Sequence, residues 1–336
     1  MSAILEVEHL VKKFGDHLAV KGISFAVEEG EVFGLLGPNG AGKTTTISML
    51  TGILQPTEGT ARIGGHDIRT DLEAVKKLNG LVPQDLALYP TLSARANLQF
   101  FGQIYGLRGT DLKERVEDVL RIVALTDRAH EAVERYSGGM KRRVNIAAGL
   151  IHNPRLLFLD EPTVGVDPQS RNAIFESVLR LNRERGMTII YTSHYMEEVE
   201  LLCNRVAVID QGEIIALDTI KNLIAMLGGG VIKVGVPQVD EALLAQMSAL
   251  PGVKEATLLP QPIAPPPAAG QAVEQKEGKP LTATPVVKVM AQNSQDAIIS
   301  VINFLNQRDL QLTSLEILEP NLESVFLHLT GKKLRE

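Results

Sequence analysis

Residues 37–44 read Gly37-Pro38-Asn39-Gly40-Ala41-Gly42-Lys43-Thr44 and match the pattern G-x-x-x-x-G-K-[ST]. They lie between residues 32–36, whose apolar run predicts a buried strand, and residues 45–50, which predict a helix. The three glycines allow backbone N–H groups to surround a phosphate at the positive end of that helix. The sequence therefore predicts a nucleotide phosphate site that extends to Thr45.

The charged and hydroxyl side chains near this loop indicate phosphoryl chemistry. Lys43 supplies a mobile charge for the β- and γ-phosphates, and the Thr44 hydroxyl is a ligand for Mg²⁺. Residues 156–159 form a second apolar run, typical of a buried parallel strand, which Asp160 and Glu161 follow. Because side chains alternate along a strand, the two carboxylates should have different roles. We assign Asp160 to Mg²⁺ and Glu161 to polarising the attacking water; a polar turn after a core strand is the alternative.

A second loop has the features of a phosphate-binding loop. It reads Tyr136-Ser137-Gly138-Gly139-Met140 and precedes a predicted helix through residues 144–147. Ser137 offers a hydroxyl, and Gly138 and Gly139 offer unobstructed N–H groups at a helix start. We therefore expect these three residues to contact nucleotide.

In this order and spacing the motifs resemble those of the ATP-binding subunit of an ABC transporter, over roughly residues 3 to 225. The resemblance implies that Gln84 contacts Mg²⁺ and the attacking water. It also implies that Asp167 lies in the D-loop, a loop that the family names after its aspartate. It also implies that His194 contacts the γ-phosphate and that Phe14 stacks on adenine. Without the resemblance, His194 is a residue at the edge of a strand and Phe14 a core aromatic.

The chain departs from the family pattern at three positions. Tyr136 and Met140 replace the usual Leu and Gln of the second loop, and Phe14 replaces a commoner Tyr. The central Ser-Gly-Gly is retained, and the phenyl ring keeps the face needed for stacking. Residues 141–143, Lys-Arg-Arg, predict a solvated helix face, with contact to nucleotide or a partner as the alternative.

The resemblance also implies partners. In the family, the Ser-Gly-Gly loop of one subunit closes over ATP held by another, so we expect a head-to-tail homodimer that binds ATP and Mg²⁺. We also expect a separate integral membrane permease, which holds the protein at the inner face of the cell membrane. Leu86, Leu88 and Tyr89, beside Gln84, are candidates for the permease surface or else for local core.

Composition fits this expectation. The chain has 336 residues, 44% hydrophobic and 22% charged, which is enough for more than one core. The sequence has neither an apolar run of membrane-spanning length nor a leader-like amino terminus, and its single cysteine, Cys203, indicates a reducing cytoplasm. The net charge of -6 argues against nucleic-acid binding.

The predicted fold is α/β: a P-loop NTPase domain of the ABC ATPase type over residues 1–225, with a helical subdomain at about 85–150. Residues 226–230, which end in Gly228-Gly229-Gly230, are predicted to form a flexible linker. Residues 231–336 show a βαββαβ pattern, which predicts a small α+β ferredoxin-like domain of accessory or regulatory role. Residues at about 260–285 are rich in Pro, Ala and Gly and predict a disordered loop.

The carboxyl-terminal segment narrows the expected function. Residues 319–327 resemble the tail of drug-resistance and lipid-exporter ABC ATPases, which implies an exporter permease of the ABC-2 type; a helix that covers its own domain is a compatible alternative. The main functional alternative is a soluble ABC-type switch protein acting on ribosomes or DNA repair. A further alternative is a regulatory module in which the last domain senses a ligand.

Overall fold

A computed structural model describes residues 2–259, 285–318 and 320–330 and divides them into two compact units. The first unit ends at Leu223, with Leu329 and Thr330 also assigned to it, and the second is Ile224–His328. Apart from Pro285, the loop predicted at 260–285 lies outside the described residues. No helix in the described ranges combines the length and apolar character needed to cross a membrane.

The strands of the first unit form two sheets. They are β1 (Ala3–Phe14), β2 (His17–Glu28), β3 (Val32–Leu36), β4 (Glu58–Ile63), β5 (His66–Asp67), β6 (Asn79–Val82), β7 (Leu156–Asp160), β8 (Thr188–Ser193), β9 (Arg205–Asp210) and β10 (Glu213–Thr219).

The helices of the chain are α1 (Lys43–Leu50), α2 (Leu72–Leu78), α3 (Ala94–Ile104), α4 (Gly109–Ile122), α5 (Gly138–Leu150), α6 (Pro168–Arg185), α7 (Met196–Leu202), α8 (Ile220–Ala225), α9 (Glu241–Ser248), α10 (Ser294–Gln307) and α11 (Leu322–Thr330).

The six-stranded sheet, in the order β10-β9-β3-β8-β7-β6, forms the centre of the first unit. Strands β9, β3, β8, β7 and β6 run parallel, and β10 is antiparallel to β9. Every residue of β3, β7 and β8 is buried, as expected for parallel strands covered on both faces. Because the parallel strands share one carboxyl edge, the segments that follow β3, β6, β7 and β8 meet there.

Two further layers complete the first unit. The antiparallel sheet β2-β1-β4-β5 shares a core with one side of the parallel sheet, through residues such as Leu5, Val27 and Phe33. Helices α3, α4 and α5 lie in a second core, in which Leu98 and Val116 belong to the same cluster as Leu157 of β7. The apolar spacing that predicted helices between residues 92 and 135 reflects this core.

The second unit is a four-stranded antiparallel sheet with helices on one face. Its strands, β11 (Val231–Gly235), β12 (Val253–Leu258), β13 (Val286–Ala291) and β14 (Ser314–Leu318), lie in the order β12-β13-β11-β14. Helix α9 follows β11 and α10 follows β13, so the chain has the predicted βαββαβ order of a ferredoxin-like fold. Ile232 and Val289 pack with Met247 and Val301 in its core.

Candidate functional site

The carboxyl edge of the parallel sheet borders a cleft of about 660 Å³. Its lining contains most of the residues that the sequence predicted to bind nucleotide or to act on it, although these residues come from distant parts of the chain. The lining residues are Phe14, His17, Ala19, Asn39, Gly40, Ala41, Gly42, Lys43, Thr44, Thr45, Gln84, Glu161, Val164, His194 and Tyr195.

The loop between β3 and α1 needs glycine at specific positions. Gly42 precedes α1 with φ 106°, a left-handed conformation that side chains disfavour. At Gly37, an added Cβ would lie 2.2 Å from the carbonyl oxygen of Ile209. Gly42 also offers no side chain to cap α1, so N–H groups in the first turn of α1 face the cleft without a side-chain acceptor. This arrangement suits an anion.

Lys43 makes three contacts inside the protein. Its Nζ donates to the carbonyl oxygens of Gly37 at 2.7 Å and Pro38 at 3.2 Å, and it lies 3.0 Å from Glu161 Oε1. The side chains of Lys43 and Glu161 are only 4% and 6% exposed, so this ion pair is buried. Two N–H donors of the ammonium group are used by the carbonyl oxygens, and its charge is paired with the Glu161 carboxylate. A phosphate that binds Lys43 therefore competes with these contacts.

The two adjacent carboxylates have different surroundings. Asp160 Oδ1 accepts a hydrogen bond of 2.7 Å from the Thr192 hydroxyl, because the parallel register sets Asp160 opposite Thr192. Glu161 follows the strand with φ 46°, a conformation uncommon outside glycine, and its N–H donates to the same Thr192 hydroxyl. Thr192 thus contacts the carboxylate of Asp160 and the backbone of Glu161. No motif in the sequence selects Thr192, although a polar residue near the end of an apolar strand is a signal.

Asp160 has the surroundings of a cation ligand. Burial raises the pKa of Asp160 above its ordinary value, and the hydroxyls of Thr192 and Thr44 offset this only in part. The hydrogen bonds to Asp160 therefore do not offset the cost of burying its negative charge, and a bound divalent cation would do so. Thr44 and Gln84 add the oxygen ligands that Mg²⁺ prefers. In the described ranges, no group of three or more His, Cys, Asp and Glu residues has the arrangement of a metal site.

We expect Asp160→Asn to raise the melting temperature of the ATP-free chain at neutral pH. A carboxyl whose folded-state pKa is raised stabilises the fold when protonated, and this stabilisation is lost as pH rises through the folded-state pKa. The amide has no charge to desolvate. Melting temperatures measured against pH should converge toward about pH 3, well below the ordinary pKa of an aspartate, where the wild-type side chain is protonated in both the folded and the unfolded state. A variant that melts lower than wild type at neutral pH would contradict this account.

His194 and Phe14 both face the cleft. His194 Nδ1 lies 3.2 Å from Glu161 Oε2, without the geometry of a hydrogen bond, and the His194 ring centroid is 4.1 Å from that of Tyr195. Phe14 is 46% exposed, so the alternative of a core aromatic is wrong. Its ring also has Lys12 Nζ 5.1 Å from the centroid.

The second loop lies outside this cleft. Ser137 and Gly138 are exposed, and Ser137 Oγ accepts a hydrogen bond from the Met140 N–H, which caps α5. Asp167 caps α6 in the same way, through the Ser170 N–H at 2.9 Å. The two loops touch, because an added Cβ at Gly139 would lie 2.2 Å from Ser170 Oγ.

The two unusual residues of this loop serve the local core. Tyr136 is 4% exposed and its hydroxyl donates to the carbonyl oxygen of Arg128, while Met140 packs against the core that contains Leu98 and Val116. Both substitutions therefore fill space behind the loop. The exposed Ser137 and Gly138 keep their access to solvent.

One prediction about the following helix is wrong. Arg142 is 6% exposed, not solvated, and its Nη1 donates to the carbonyl oxygens of Gln84 at 2.6 Å and Pro83 at 3.2 Å. Arg143 likewise donates to the carbonyl oxygen of Val123. Tertiary packing explains the difference. Helix α5 packs beside β6, and the carbonyl oxygens of the segment that follows β6 need hydrogen-bond donors. Arg142 thus connects the helix of the second loop to the segment that carries Gln84.

The comparisons with known proteins agree with the geometry of this site. The family model described as ABC transporter matches residues 20–164. The linearmycin resistance ATP-binding protein LnrL of Bacillus subtilis (strain 168) is 46% identical over 334 residues, covering 99% of this chain and 100% of that protein. Nod factor export ATP-binding protein I of Ralstonia nicotianae (strain ATCC BAA-1114 / GMI1000) is 36% identical, covering 99% and 95%.

A solved structure shows the same relationship at the level of the fold. A dimeric ATP-binding cassette in a post-hydrolysis state, bound to ADP and Pi, superposes with a TM-score of 0.58 at 26% identity and covers 64% of this chain and 98% of that one. The resemblance inferred from the motifs is confirmed, and the transporter ATPase is favoured over the soluble switch protein. With a phosphate loop, a buried Lys–Glu pair and a relative that matches it from end to end, this chain belongs to the ABC transporter family of ATP-binding proteins and is an ATPase.

Proposed function

We propose that this protein is the ATP-hydrolysing subunit of an ABC-2 type exporter. The main support for this proposal is that the predicted nucleotide-binding residues lie at two separate places. Lys43, Glu161 and His194 line the cleft, whereas Ser137 and Gly138 are exposed outside it. The names of the relatives, which refer to linearmycin resistance and Nod factor export, favour outward transport. The substrate path would lie in a separate membrane subunit.

Within the cleft, each residue has a proposed role. The N–H groups of residues 39–45 and the Lys43 ammonium hold the phosphates, and Phe14 stacks on adenine. Thr44, Asp160 and Gln84 would hold Mg²⁺, which supplies charge neutralisation for the phosphates. When a phosphate takes over a donor of Lys43, Glu161 is freed from its ion pair and orients the attacking water. His194, 3.2 Å from Glu161, contacts the γ-phosphate side.

The exposed second loop requires another copy of the chain. Gly138 and Gly139 present N–H groups at the start of α5, a 13-residue helix whose dipole favours an anion. We propose that they close over ATP in a partner's cleft, with Ser137 and Asp167 beside them, so that ATP joins two subunits head to tail. The solved relative is dimeric and bound to ADP and Pi, which supports dimerisation of this protein.

A second, apolar groove next to Gln84 is the proposed permease surface. The groove measures about 420 Å³, and its lining includes Ile53, Ile104 and Tyr105, which are 63%, 64% and 46% exposed. Near it, Leu86 and Tyr89 are exposed while Leu88 packs against core, so the alternative of local core holds for Leu88 only. The groove would place the protein at the inner face of the cell membrane.

The groove is tested by Ile104→Asp. We expect the affinity for the permease to fall about 10- to 100-fold, since an exposed apolar anchor at such a surface contributes roughly 2 kcal/mol. Basal ATPase activity should not change, because Ile104 does not line the nucleotide cleft. Co-purification of the permease from membranes measures the effect, with Leu201→Asp, at a 59% exposed position on α7, as the control. Equal recovery with both variants would rule out the groove.

The domain division remains a proposal. We propose residues 1–225 as the ATPase domain, 226–230 as a linker and 231–336 as an accessory or regulatory domain. The second unit is compact, and α11 buries Leu322, Val325 and Phe326. Both observations support a folded domain in the carboxyl-terminal part. Removal of residues 231–336 distinguishes the roles: retained ATPase activity and permease assembly would make this domain accessory.

A further inference from the structure

Glu198, on α7, is a buried carboxylate that the mechanism above does not use. It is 2% exposed, yet it lies next to the segments that carry Glu161 and His194. Its oxygens accept hydrogen bonds from the hydroxyls of Thr163 at 2.7 Å, Tyr191 at 2.9 Å and Ser193 at 2.9 Å. A buried carboxylate needs several donors to offset its desolvation, and these three hydroxyls provide them.

Two of these donors belong to the catalytic segments. Thr163 is two residues after Glu161, and Ser193 directly precedes His194. Ser193 Oγ also accepts a 2.9 Å hydrogen bond from the Tyr195 N–H. The Ser193 hydroxyl therefore holds the backbone on the far side of His194 as well. The carboxylate of Glu198 therefore joins the turn after β7 to the last residue of β8.

A fourth contact of Glu198 reaches α6, which begins directly after Asp167. Arg171 Nε lies 3.6 Å from Glu198 Oε1, and the Arg171 guanidinium carbon lies 5.3 Å from the centre of the Tyr195 ring. The first turn of α6 also touches Gly139 of the second loop through Ser170. Arg171, on the first turn of α6, thus connects Glu198 to the loops that are proposed to contact ATP in the partner subunit.

We propose that Glu198 is a positioning residue for ATP hydrolysis, which holds Glu161 and His194 in their mutual geometry through Thr163 and Ser193. The inference rests on the roles proposed above for Glu161 and His194. Glu198 does not line the cleft, so it acts without touching nucleotide. A carboxylate suits this position because both of its oxygens accept from hydroxyls, whereas a glutamine amide keeps one accepting oxygen, and a hydroxyl that faces its NH₂ group must turn round and accept instead.

The test is the steady-state ATPase activity of full-length Glu198→Gln, with Glu197→Gln as the matched control on the same helical turn. Glu197 is exposed, so its variant should retain wild-type kinetics. For Glu198→Gln we expect kcat to fall about 10- to 100-fold, the effect of losing hydrogen bonds to a buried charge. The KM for ATP should stay within about twofold, because the phosphate-binding residues are untouched. An unchanged kcat, or a rise in KM equal to the fall in kcat, would overturn the inference.

A second set of variants keeps the test informative if Glu198→Gln does not fold. Ser193→Ala removes one donor and leaves the carboxylate in place, and we expect it to lower kcat in the same way. If Glu198→Gln folds, the double variant should be no slower than Glu198→Gln alone, because both changes break one connection. Wild-type kcat for Ser193→Ala, or additive losses, would contradict the inference.

Glu161→Gln separates this inference from the proposed function. If Glu161→Gln is active, the assignment of Glu161 fails, and with it the geometry that Glu198 is proposed to hold. If Glu161→Gln is inactive while Glu198→Gln hydrolyses ATP at the wild-type rate, only the role of Glu198 fails.

Discussion

Glu161→Gln should bind ATP and hydrolyse it about 100- to 10,000-fold more slowly than the wild type, the usual contribution of a general base. The amide keeps the size of the side chain and loses the charge that polarises water. Binding should persist, because the phosphate loop and Lys43 remain. Because ATP would not be consumed, the variant should accumulate as a dimer.

Size-exclusion chromatography with light scattering, with and without Mg-ATP, measures this second effect. We expect a shift from monomer to dimer only when Mg-ATP is present. Glu176→Gln, an exposed glutamate on α6, is the matched control and should hydrolyse ATP normally. A Glu161→Gln protein with wild-type activity would refute the role of Glu161. An inactive variant that binds ATP but stays monomeric would contradict a site shared by two isolated chains.

Lys43→Ala should lose tight nucleotide binding, with an affinity for ATP lower by about 100-fold or more, because the charged hydrogen bonds to the β- and γ-phosphates disappear. The structure adds an effect on stability. Without Lys43, Glu161 is left buried without its ionic partner, and breaking a buried ion pair in this way costs about 3–5 kcal/mol. The melting temperature of the ATP-free variant should therefore fall, whereas Lys77→Ala, at an exposed position on α2, should leave it unchanged.

The double variant Lys43→Ala with Glu161→Gln separates the two effects. Removing both charges should restore much of the melting temperature, since no uncompensated charge remains, while nucleotide binding stays lost. Isothermal titration with Mg-ATP and thermal melting measure the two quantities independently. If the double variant melts as low as Lys43→Ala, the buried pair is not the source of the instability. If it binds ATP tightly, Lys43 does not hold the phosphates.

Much of this site could be predicted from the sequence because its chemistry depends on local patterns. The loop of residues 37–44 needs glycines beside a lysine, and the structure has the expected buried strand before it and a helix that begins at Lys43. Asp160 ends a buried strand in the same way. The alternating and helical patterns after residue 230 likewise predicted the βαββαβ order, since each element buries one face.

Other features were decided only by tertiary structure. Arg142 sits in a charged triplet that looks solvated, but the packing of α5 beside β6 directs it to the carbonyl oxygens of Pro83 and Gln84. Glu198 is one of several glutamates on a short helix, and only the neighbouring β7 and β8 make it a buried acceptor.

The physical reason lies in the range of the interactions. Hydrophobic spacing, glycine conformation and phosphate recognition by successive N–H groups act along a few neighbouring residues, so the sequence by itself determined the fold class, the family and the phosphate loop. Three features depend on strands that are distant in the chain and adjacent in the sheet: the pairing of Lys43 with Glu161, the hydrogen bonds of Thr192 to the Asp160 carboxylate and the Glu161 backbone, and the burial of Glu198. Those contacts exist only once the parallel register has been set.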